Sequence, residues 1–73
     1  MRERAGLVAE VARRVAEQQR AARRLAGLQI ADGPDEAIAE ALAEVRQATL
    51  RVEEAEQHLA AHDVAANGTG GRT

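Results

Sequence analysis

His58 and His62 stand four residues apart in this 73-residue chain, with Glu54 one helical turn earlier. On a helix that spacing lines three potential ligands along one face, and it can seat a divalent metal when further ligands arrive from elsewhere. The rest of the chain offers no other histidine and no cysteine. The pair therefore reads as imidazoles near a helix C-terminus, where the negative dipole end favours them. His62-Asp63 lacks the additional histidines that a phosphohydrolase site would need. Asn67-Gly68-Thr69 matches the glycosylation acceptor pattern, but with no secretory leader expected the match carries no weight. The glycines within residues 68–71 lack the Lys-Ser/Thr of a phosphate loop. No aromatic residue is present to wall a pocket, and two helices cannot enclose a water-excluding site. The expectation is a non-enzyme with no metal, no cofactor and no small-molecule substrate.

The arginines are the other candidate chemistry. All ten basic residues are arginine, whose planar fork suits phosphate recognition. Arg13, Arg14, Arg20, Arg23 and Arg24 are expected on the outer surfaces of the first helical stretch. If nucleic acid bound, Arg13, Arg20 and Arg24 would be its contacts. Against that stand a net charge of −2, an acidic second half and the absence of stacking aromatics. A solvated arginine face balanced by glutamates is the favoured reading.

The elements that must carry these residues are helices. Eighteen of the 73 residues are alanine, and most of the rest are Glu, Arg, Leu, Val and Gln, which lose little side-chain freedom in a helix. Alanine together with arginine in place of lysine suggests a GC-rich bacterial genome. From Val8 an apolar stripe steps by three and four through Val11, Val15, Gln18, Ala22 and Leu25, the a and d positions of a heptad. Leu7, Ala12, Ala21 and Ala26 flank it. Gln18 interrupts the stripe, either as a buried amide that fixes register or at a partly exposed edge. Gly27 predicts a left-handed stop followed by apolar Leu28, with Leu28 and Ile30 folding back over the end of the hairpin. The competing reading lets the helix run to Ala31.

Asp32-Gly33-Pro34-Asp35-Glu36 marks a turn and a new helix start. Asp32 or Gly33 can cap, Pro34 suits the first helical position, and two acids sit at the positive dipole end. The second seam is more regular: Ile38, Ala41, Val45, Ala48, Val52, Ala55, Leu59 and His62. Larger residues alternate with alanine, which lets two backbones approach closely. Asn67-Gly68 predicts the end of this helix, and residues 67–73 read as a flexible tail.

The predicted fold is all-α, an antiparallel, coiled-coil-like two-helix hairpin over residues 1–66. Helix 1 covers about 2–27, the turn about 28–33 and helix 2 about 34–66. Residues 1–30 hold seven arginines against three glutamates, a net of +4. Residues 31–66 hold nine acids against Arg46 and Arg51, a net of −7. Folding back at Gly33 sets Glu36, Glu40 and Glu44 beside Arg20, Arg23 and Arg24. It also brings Glu53, Glu54 and Glu56 near Arg2 and Arg4. Exposed pairs are individually weak, so the pattern selects orientation more than it adds stability.

A chain this short, without disulfides or aromatics, seldom builds a sufficient core alone. Association with itself, as a homodimeric four-helix bundle, or with a larger protein is therefore expected. The interface residues would be Val8, Val11, Val15, Leu25, Ile38, Val45, Val52 and Leu59 in the seam. Leu42 and Leu50 would make an outer contact, Leu50 lying opposite the seam and flanked by Ala43, Thr49 and Leu42. In length and layout the chain resembles the ROP regulators of plasmids, with no shared motif. That likeness implies the alternative of a dimeric RNA-binding regulator. An accessory subunit of an enzyme is a third possibility. No apolar run approaches the length of a membrane span, and a cytoplasmic location is expected.

Overall fold

The computed structural model describes the backbone of residues 2–70 and the side chains of residues 3–66. Two helices account for almost all of it: α1 (Arg2–Ile30) and α2 (Asp35–Gly70), with no strand among the described residues. They pack against one another as an antiparallel hairpin, as the composition and turn signals predict. The register is visible in three side-chain pairs. Arg4 meets Asp63, Gln18 meets Thr49 and Arg24 meets Glu44, so partner positions fall in α2 as they rise in α1.

The turn departs from the sequence reading by a few residues. α1 runs through Gly27 and ends at Ile30, close to the competing reading. The Gly33 N–H donates to the Leu28 carbonyl at 2.8 Å, and the Asp32 N–H donates to the Gln29 carbonyl at 3.2 Å. This pair of bonds is the Schellman ending, displaced five residues from Gly27. Its left-handed residue is Asp32, with φ of 57°. The displacement has a packing cause. Ending at Asp32 lets half-buried Leu28 lie over Gly33, where an added Cβ would come within 3.1 Å of Leu28 Cδ2. Ile30 does not fold back, and is 87% exposed.

The start of α2 is shifted by one residue. The Pro34 carbonyl accepts the first helical bond, from Ile38 N–H at 3.0 Å. Pro34 is thus the capping residue and Asp35 the first helical one. Asp35 and Glu36 occupy the first turn as expected. At the far end, α2 continues through residues 67–70 instead of stopping at Asn67-Gly68. Asn and Gly make a stop cheap without enforcing one. Residues 71–73 of the predicted tail lie outside the described residues.

The seam of α2 is the one read from the sequence. Ala41, Ala48, Val52 and Ala55 are buried, and Ile38, Val45, Leu59 and His62 are half-buried. In α1 the stripe is rotated. Leu7, Val11, Arg14, Gln18, Ala21, Leu25 and Leu28 face α2, whereas Val8 and Ala22 are exposed. Both phases satisfy a spacing of three and four and share Val11, Gln18 and Leu25, so the pattern alone does not choose between them. Arg14, expected on the outside, occupies a seam position. There its aliphatic stem covers apolar surface while the guanidinium reaches Glu17 at 3.2 Å.

The consequence is a thin core. Among the described residues the buried apolar side chains are three alanines and one valine, all from α2. The hairpin measures 59 × 16 × 13 Å, with a radius of gyration of 17.0 Å. A compact chain of this length would have a radius of about 11 Å.

Candidate functional site

Three polar contacts fix the hairpin's register and leave its sides open. At its centre the Gln18 amide donates to Thr49 Oγ1 at 2.9 Å, and the Thr49 hydroxyl donates to the Val45 carbonyl at 2.9 Å. Gln18 is half-buried, so it both sits near an edge and ties the two helices together. Such an amide stabilises one alignment, because slipping the register would strand it.

At the open end, Arg4 Nε and Nη2 donate to the two carboxylate oxygens of Asp63 at 2.9 and 3.3 Å. The bidentate Arg4 guanidinium holds the Asp63 carboxyl below the usual carboxylate range. The sequence reading had placed Arg4 near Glu53, Glu54 and Glu56; the register carries it further along α2. The Arg2 side chain lies outside the described residues. Near the turn, Arg24 pairs with Glu44, as the charge pattern predicts.

His62 is half-buried beside this open end. Its Nε2 lies 3.7 Å from Glu3 Oε1 and its Nδ1 3.7 Å from Asp63 Oδ1, both too long for hydrogen bonds, and Nδ1 is buried without a partner. His58 is exposed. Among the described residues no three histidines or acids gather as a metal cluster would.

The two sides of the hairpin differ in chemistry. On one side an open groove of about 520 Å³ has Ala21, Ala43 and Ala48 as its floor and Glu17, Arg20, Arg24, Glu44, Gln47 and Arg51 along it. Arg24 and Glu17 are engaged with Glu44 and Arg14, and neither Arg20 nor Arg51 has a carboxylate partner among the described residues. Of the arginines singled out from the sequence, Arg20 and Arg24 enter this groove, and Arg13 is exposed further along the same edge of α1. Arg51 and Gln47 come from the other helix, and only the tertiary pairing brings them in.

The other side is the more apolar of the two, chiefly through α1. Glu17 and Arg24 mark the groove edge of α1, so Val8, Val15 and Ala22, also spaced by seven, run along its opposite edge. By the same spacing Leu42, Thr49, Glu56 and Asp63 run along the edge of α2 opposite Glu44 and Arg51, so this edge is apolar near the turn and acidic toward the open end. Val8 is 42% and Leu42 38% exposed. Leu50 is also exposed, but eight residues along it lies about 80° round the helix from Leu42. The structure does not bring the two leucines into one patch. Leu50 points away from the seam, as expected, alongside Ala43.

Among the described residues no helix is long and apolar enough to cross a membrane. In comparisons with known proteins no family model matches the chain, and neither a curated protein nor a solved structure is significantly similar to it.

Proposed function

We propose that this hairpin is a non-catalytic association module that completes its core on another polypeptide, as a homo-oligomer or as the accessory subunit of a larger protein. One observation carries the reading. The accessible surface is 5548 Å² for a chain of 7.8 kDa, whereas a compact monomer of that mass exposes about 4,400 Å². The surplus coexists with a core of three alanines and one valine. Such a core is small against the roughly 1.5 kcal/mol per residue that ordering costs. Burying the side that carries Val8, Val15 and Leu42 would enlarge it.

The test is helicity, by circular dichroism, against concentration, with mass followed by sedimentation equilibrium. Detection by refractive index is required, since the chain has no Trp or Tyr. Helicity that rises with association, or stays low until a partner is supplied, is the expected result. A fully helical monomer that unfolds cooperatively at micromolar concentration would refute the proposal.

A second reading, RNA binding by the arginine groove, draws on Arg20, Arg24 and Arg51 lining one surface. It would show as RNA affinity that falls steeply with salt and with Arg20→Ala and Arg24→Ala. The glutamates in the same groove and the net charge of −2 favour protein association over it.

A further inference from the structure

We infer that the more apolar side is covered by a second copy of this chain, with α1 of each copy lying against α2 of the other and both turns at the same end. The inference rests on the association reading and adds to it a partner, a face and a direction.

Area comes first. The hairpin exposes about 1,200 Å² more than a compact chain of its mass. A stable protein interface takes about 800 Å² from each partner, so the surplus is large enough for one such interface. Chemistry then selects the side. The groove side carries arginines and glutamates. The opposite side offers exposed Val8 and Ala22 and half-buried Val15 from α1, and Leu42 from α2. Glu56 and Asp63 continue the α2 edge toward the open end, where they would face the basic α1 of the second copy.

Charge selects the direction. α1 contains seven arginines against three glutamates, a net of +4, and α2 contains eight acids against two arginines, a net of −6. Two hairpins stacked face to face can be related by a two-fold axis along the bundle or by one across it. The crosswise axis lays α1 on α1 and α2 on α2, which sets basic against basic and acidic against acidic. The lengthwise axis lays each α1 on an α2, so signs alternate around a four-helix ring. Like-charge juxtaposition disfavours the first arrangement, and complementarity favours the second.

Shape agrees with that choice. A lengthwise axis keeps residues at their own height along the bundle. The Arg24–Glu44 pair sets the height of Leu42 near Ala22 and Ala26, and the Arg4–Asp63 pair sets Val8 near Ala60. Leu42 of one copy therefore meets the exposed Ala22 and Ala26 of the other, and Val8 meets the exposed Ala60. In both places a large side chain falls on alanine, the combination that interdigitates.

The chain has no cysteine, so a spin label can be placed at one site. Ala31→Cys at the turn, and independently Ile30→Cys, both exposed positions, would be labelled in the full chain. Label-to-label distances would be read by pulsed electron paramagnetic resonance, with mass by sedimentation equilibrium. A dimer with the labels within about 20 Å is expected, since neighbouring helices pack 8–10 Å apart. A dimer with the labels about 45 Å apart would overturn the arrangement: Ala31 lies fifteen residues from the middle of α1, at 1.5 Å per residue. A monomer at every concentration would overturn the second copy as occupant. If that monomer were poorly helical, the association reading would survive with a different protein as partner; a cooperatively folded monomer would remove both.

Discussion

The end of α1 supports a prediction in which the sign of the effect decides the matter. Gly27 lies within the helix with no positive φ, and a Cβ built on it meets nothing within 4 Å. Gly27→Ala should therefore realise the full difference in helix propensity, about 0.8–1.0 kcal/mol of added stability. Asp32 holds the left-handed position with φ of 57°. Asp32→Gly removes steric strain of about 1 kcal/mol, the low end for an L-residue because Asp tolerates this region. It also takes a negative charge from the C-terminal end of α1, worth about 0.3–1 kcal/mol. Greater freedom in the unfolded chain offsets about 0.4–1 kcal/mol of this. The net expectation is a stabilisation of about 0.3–1.6 kcal/mol.

For a domain this small 1 kcal/mol moves the melting temperature by roughly 4–8 °C. Each variant should therefore melt several degrees above the parent by circular dichroism at 222 nm. All samples must be held at one protein concentration, because association contributes to the midpoint. Gly6→Ala is a control, since Gly6 is also helical with open space around its Cβ site. It should shift in the same direction, though less, being near the frayed end. Had α1 stopped at Gly27 in a left-handed conformation, alanine there would be strained and Gly27→Ala would lower the melting temperature. A lowered midpoint for Gly27→Ala, with Gly6→Ala unchanged or raised, would refute the helix end described here.

Further predictions test the seam and the open end. Val52 is 7% and Val64 70% exposed. Both valines gain about 0.6 kcal/mol of helix propensity on becoming alanine, but Val52 loses two buried methyl equivalents worth about 1.6 kcal/mol. Val52→Ala should therefore destabilise by about 1 kcal/mol and Val64→Ala should stabilise by up to about 0.6 kcal/mol; equal urea midpoints would argue against the seam. A double-mutant cycle on Gln18→Ala and Thr49→Ala should give a coupling of roughly 0.5–1.5 kcal/mol, and none if the cross-seam bond is absent in solution. Because Arg4 lowers the Asp63 pKa in the folded state, the stabilisation from this pair is complete above the unfolded carboxylate pKa of about 3.9. It is lost as pH falls through the folded value. The Asp63 carboxyl resonance should accordingly titrate below that of an unpaired aspartate, and Arg4→Ala should return it to the ordinary range.

The sequence determined the kind of fold, the position of the turn, the contact face of α2 and the separation of charge between the helices. Each of these follows from strong local chemistry. Proline and glycine punctuate the turn, and in α2 Ile, Val and Leu alternate with alanine in a pattern that admits one face. Acids cluster after Asp32 and arginines before it. The tertiary structure decided the phase of α1, the residue at which it ends and the membership of the arginine groove. In α1 the residues flanking the stripe are alanines, which are equally at home covered or exposed, so the pattern fits with Leu7 or with Val8 toward α2. Packing against α2 chose Leu7 and left Val8 and Ala22 outside. Gly27 carried a local stop signal, but ending at Asp32 allowed Leu28 to close over Gly33, and that contact outweighed the propensity of a single glycine. Arg51 joins Arg20 and Arg24 for a related reason. Residues on different helices become neighbours only through the register, and Gln18 with Thr49, Arg4 with Asp63 and Arg24 with Glu44 set that register across the seam.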